Sequence, residues 1–135
     1  MKSLALYLAA ATVSFASIGA TYAANDTSRD MMRDADAQYK IAKERCDSMK
    51  GKQEDLCEKE AKAARDKARA DARVTRNDTP ESRADAGETK AKADYRLQKE
   101  KCDSLKGKEQ DACVSRAKAS MQSREAQADK TRKSN

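Results

Sequence analysis

The chain has 135 residues, 39% of them charged and 4% aromatic, with 29 Lys and Arg against 23 Asp and Glu, a formal net charge of +6 and no histidine. So polar a composition, with a mean hydropathy of −1.04, excludes a conventional globular core, because too few large apolar side chains exist to fill one. Abundant Ala, Lys, Arg, Glu and Gln, with only 4 Gly and 1 Pro, leave long helices as the regular structure available.

The N-terminus reads as a secretory signal over residues 1–23. Lys2 is the only charge before Asp26, an apolar run extends from Leu4 to Ile18, and Thr21-Tyr22-Ala23 supplies small residues for a cut before Ala24. The run is too short, and too quickly succeeded by polar chain, for a membrane-spanning helix. Export to the periplasm would place all four cysteines in a compartment where disulfides persist. Acidic and basic residues alternate along the rest of the chain, the pattern of solvated helix faces.

From Met32 onward, Met32, Ala35, Tyr39, Ala42, Cys46 and Met49 recur at spacings of three and four, which is a heptad seam. Gly51 then suits the left-handed residue that closes a helix, and Glu54 and Asp55 suit the first turn of the next. The return arm carries Ala61, Ala64, Ala68 and Ala72 on one side and ends near Arg76, so residues 24–76 form a first hairpin unit. In Asn77-Asp78-Thr79-Pro80, Thr79 is placed to cap a helix that has Pro80 at its first position. Gly87 weakens that helix, and the expectation is a frayed linker over residues 77–88. A second unit occupies residues 89–130, with a seam of Ala84, Ala91, Tyr95, Gln98, Cys102 and Leu105, a turn at Gly107 and a return arm containing Ala117. A disordered tail is expected over residues 131–135.

The units are copies. CDSMKGKQEDLC from Cys46 to Cys57 returns as CDSLKGKEQDAC from Cys102 to Cys113, and residues 35–76 match residues 91–132 at roughly half their positions. Folding each copy back at its glycine sets Cys46 opposite Cys57 and Cys102 opposite Cys113. It also sets Ala42 opposite Ala61, Tyr39 opposite Ala64, Gln98 opposite Ala117 and Tyr95 opposite Ser120. Small partners permit the close approach that a disulfide needs. Pairing within each unit is therefore favoured, the alternatives being crossed bridges between units or between chains. Tyr39, Tyr95, Ala61 and Ala117 are assigned to seam packing.

The functional readings are few. Ten residues between cysteines do not make the Cys-x-x-Cys motif of redox catalysts, and a chain without histidine offers a zinc ion only thiolates and carboxylates. No nucleophile with its base and no phosphate loop is visible. Interleaved carboxylates and scarce aromatics argue against nucleic acid. No catalytic residue, metal or cofactor is therefore expected.

At the pattern Tyr-x3-Lys-x2-Cys-Asp-Ser-x-Lys-Gly-Lys-x2-Asp-x-Cys, with Ala-Lys-Ala after it, both units resemble small, exported, Ala/Lys-rich proteins of Gram-negative bacteria. These mostly uncharacterised proteins are sometimes labelled TolA-like or envelope-biogenesis. The resemblance implies a periplasmic location and carries over no functional residue. The overall expectation is an all-α protein of two tandem disulfide-stapled antiparallel hairpins, extended or loosely packed as a four-helix array. Its expected role is non-enzymatic, structural or binding, with an envelope protein or an anionic envelope surface as partner. The alternatives are a hydrophilic stress protectant and an electrostatic binder of such surfaces.

Overall fold

A computed structural model describes residues 18–134, and only helices form its regular structure. In order they are α1 (Ile18–Cys46), α2 (Lys52–Arg76), α3 (Pro80–Cys102) and α4 (Gly107–Lys133). Most of the expected secretory segment lies outside the described residues, and residues 18–23 form the first turns of α1. No described helix is long and apolar enough to cross a membrane.

Each helix packs on its neighbour in sequence, α1 on α2, α2 on α3 and α3 on α4, while among the described residues α1 and α4 do not meet. The helices therefore stand in a row rather than closing into a bundle. Alanine placement explains this. On α2, Cys57, Ala61 and Ala72 lie on the stripe toward α1, whereas Ala63 and Ala70 lie roughly 160° around the helix at 100° per residue. On α3, Ala84, Ala91 and Cys102 share the stripe toward α4, while Ala86 and Ala93 share the opposite one. All of these are buried except the half-buried Cys57, with Ala70 and Ala72 at 0% exposure and Ala91 and Ala93 at 1%. A helix with a methyl-sized seam on two opposite faces can hold a neighbour on each, and alanine lets the axes come to the short end of the usual 8–10 Å range.

Ion pairs brace these seams. Between α1 and α2, Lys43 bonds Glu58 at 2.6 Å and Arg69 bonds Asp36 at 3.2 Å. The α2–α3 seam carries Lys67–Asp94 at 2.8 Å, Lys101–Glu60 at 3.1 Å, Arg96–Asp66 at 3.3 Å, and Lys90 with Asp71. The one buried polar side chain among the described residues is satisfied, since the Ser28 hydroxyl donates to the Ala72 carbonyl at 2.6 Å, joining α1 to α2.

Three expectations are corrected. The linker is not 77–88, because only 77–79 lie outside helix. Thr79 accepts from the Ser82 amide at 3.1 Å while its own amide donates to the Ser82 hydroxyl at 3.0 Å, and Pro80 sits in the first turn. That reciprocal cap starts the helix ahead of Gly87 and carries it through. The second unit therefore begins at Pro80 rather than residue 89. Residues 131–133 are likewise helical, held by Arg132 to Glu88 at 2.7 Å and to Asp85 at 2.9 Å.

The third correction concerns the two turn glycines, also expected to close helices: Gly107 is the first residue of α4 rather than the end of α3, and Gly51 does not close α1. That helix ends in a turn in which the Met49 amide donates to the Cys46 carbonyl and the Ser48 hydroxyl to the Arg45 carbonyl, at 2.8 and 2.7 Å. Gly51 instead precedes α2 at φ 61°, ψ −137°, a region closed to side-chain-bearing residues. Substitution should act in opposite directions at two glycines. Nothing lies within 4 Å of a Cβ at Gly51, so Gly51→Ala should cost about 1–3 kcal/mol through backbone strain alone. A Cβ at Gly87 would meet that of Ala128 at 3.5 Å, an ordinary contact. Gly87→Ala should therefore stabilise α3 by roughly 0.5–1 kcal/mol. Urea titrations of the two variants check this, and a destabilised Gly87→Ala would contradict the α3–α4 packing described.

Candidate functional site

Because the four helices alternate in direction, both cysteine cassettes come to one end of the row. Cys46 pairs with Cys57 and Cys102 with Cys113, at Cα separations of 5.5 and 5.6 Å. Each cystine joins the last residue of an outgoing helix to the first or second turn of the returning one. Cys46 and Cys102 are 0% exposed, so the bridges are shielded on one side by their own hairpins. The turns above them touch, with the Lys52 ammonium donating to the Asp103 carbonyl at 3.4 Å. Met49 and Leu105, equivalent in the two copies, are both exposed there.

The face of the first hairpin below its cystine carries a shallow groove of about 390 Å³, in which Met31, Ala35, Tyr39, Ala42, Ala61 and Ala64 are prominent. Its origin is the mismatch between Tyr39 and the small residues opposite. Tyr39 remains half-buried, and the Arg65 guanidinium lies over its ring, 4.3 Å from the centroid. That cation–π contact covers the part of the ring that alanine cannot. Ala61 is buried in this seam, whereas Ala64, the expected partner of Tyr39, is exposed. In the second hairpin Tyr95 and Ala117 are both half-buried. The tyrosines thus sit at the rim of their seams rather than inside them.

The charged group that reaches two other helices is Asp94, whose two oxygens accept from Lys67 of α2 at 2.8 Å and Arg124 of α4 at 2.6 Å. One carboxylate on α3 therefore ties three helices together. Partial burial pulls its pKa up, but the bonds from Lys67 and Arg124 outweigh this and hold it below the usual value of 3.8. A depressed folded-state pKa contributes stability that is complete above the unfolded value and is lost as pH falls through the folded one. With the carboxylate a third exposed, Asp94→Asn should cost on the order of 1 kcal/mol at neutral pH. The gap between variant and parent should close below pH 3.8. Thermal melts at pH 7 and in acid test it, and a gap that persists in acid would assign the loss to shape rather than charge.

Register is what sequence reading missed here. The α2–α3 ion pairs join residues whose numbers sum to 161 or 162, and a fold-back at Pro80-Glu81 would have brought the same opposite charges together. Among the described residues, no group of three or more His, Cys, Asp or Glu side chains is arranged to hold a metal ion. Compared with known family models, curated proteins and solved structures, the chain matches none.

Proposed function

We propose that this is an exported, non-enzymatic helical protein of the cell envelope, with a structural or binding role in an oxidising compartment such as the periplasm. The observation that carries this reading is the use of all four cysteines as hairpin clasps. A fold whose seams are methyl groups gains little from burial, and cystines are a suitable reinforcement only where they stay oxidised. The leader-like N-terminus and the resemblance of the cassettes to exported envelope proteins support the same compartment. The stress-protectant alternative requires a chain that stays coil-like in dilute buffer, and the braced, capped helices favour the structural reading over it.

Alkylating thiols in intact cells and then releasing the periplasm by osmotic shock tests the proposal. The chain is expected in the released fraction with no alkylated cysteine. Recovery from the cytosol with four alkylated thiols would overturn the compartment. A coil-like circular dichroism spectrum of the oxidised protein would overturn the structural role.

A further inference from the structure

The duplication makes the two internal helices a template for the two outer ones. On α2, Ala63 and Ala70 are 5% and 0% exposed because α3 covers them; on α3, Ala93 is 1% exposed and Leu97 half-buried because α2 covers them. A shift of 56 positions carries the first pair to Ala119 and Ala126 of α4, and the second to Ala37 and Ile41 of α1. All four of these are exposed, and Ile41, at 55%, is the most exposed large apolar side chain described. The row therefore ends on one side in the surface that α2 offers to α3, and on the other in the surface that α3 offers to α2, each without a neighbour.

We propose that these two faces dock on each other between copies of this chain, α4 of one against α1 of the next, in the antiparallel register already used by α2 and α3. The occupant of each face is thus a second copy, and the contact continues an interface built within the chain. It stands apart from the cellular compartment and from the role proposed above. Since the two faces differ, the contact is head-to-tail and does not close on itself, so copies add without a fixed end number.

Charge decides how tight it is. In the shared register the four α2–α3 ion pairs become Ser123 with Gln38, Gln127 with Asp34, Gln122 with Lys40, and Arg116 with Arg45. Three are neutral or singly charged hydrogen-bonding pairs and one is a like-charge pair. Association is accordingly weak, and it strengthens with salt as the two arginines are screened. Reversing one of these arginines tightens the contact. Arg116→Glu turns the repulsion into an ion pair and should raise the association constant roughly fivefold at low salt.

The test is sedimentation velocity on the oxidised protein as isolated from its cell, over a wide concentration range. Weight-average mass should climb without a plateau. Ala126→Glu spoils only the α4 face and Ile41→Glu only the α1 face, both at exposed positions, so each variant should keep its helicity and stay monomeric. An equimolar mixture of the two should form dimers and nothing larger, because one good face of each remains. A parent protein that is monomeric throughout, a plateau at the dimer, or variants that associate like the parent would each overturn the proposal.

Discussion

Removing the two cystines should abolish most of the stability of this protein. Each closes a loop of about 12 residues, worth roughly 3 kcal/mol on the chain-entropy account, against a total of about 5 kcal/mol at the lower end of the range for folded domains. The lower end applies because the seams bury alanine methyls, Cys46 and Cys102, with the larger side chains left at the rims. Replacing Cys46 and Cys57 by Ala should lower the urea midpoint markedly, and replacing all four cysteines should leave little cooperative transition. Circular dichroism against urea, with and without reductant, measures this. Superimposable curves would mean that the ion pairs and alanine seams hold the row unaided.

The second large effect is expected at Ala70. It is fully buried between α2 and α3, and its repeat equivalent, Ala126, is exposed on α4. Glutamate is a good helix former, so Ala70→Glu tests burial rather than helix propensity. An unpartnered carboxylate in that seam costs about 3 kcal/mol or more, and separating the helices is the cheaper response. The two hairpins, each closed by its own cystine, should then melt as separate units, whereas the single Ala126→Glu variant should melt like the parent at low concentration. Calorimetry distinguishes one transition from two. A single unshifted transition in Ala70→Glu would show that the α2–α3 seam contributes little.

Elements whose logic is local were legible from sequence. The helices come from composition, the hairpins from the duplicated cassette, the cystine pairing from a fold-back at the glycines, and the cap at Thr79 from its neighbours. What was missed depends on surroundings that a single seam does not reveal. Gly87 suggested a break because glycine weakens an isolated helix, yet between a reciprocal cap and the Ala128 methyl the helix continues. Tyr39 looked like core because of its seam position, but alanine opposite leaves too little surface to bury a phenol ring, and Arg65 covers it instead. The expected return arm has one small side, at Ala61, Ala64, Ala68 and Ala72, and no second alanine stripe at Ala63 and Ala70. Only the α2–α3 register separates it from the first. The candidate site was legible in its clasps and illegible in its grooves, since grooves arise from size differences between facing side chains.

That α1 never meets α4 also sets the order of events in folding. Among the described residues all interhelical contacts join segments that are adjacent in sequence and linked by turns as short as three residues, so no distant helices must find each other. Chains of such low contact order fold in microseconds to milliseconds, while thiol oxidation takes seconds or longer. Even a reduced chain too weak to stay folded should therefore visit its hairpins many times before a thiol oxidises, so that oxidation captures the pairing those brief visits present. Slow rearrangement through wrongly paired intermediates is not needed on such a route, and a chain newly released into an oxidising compartment would mature without a disulfide isomerase.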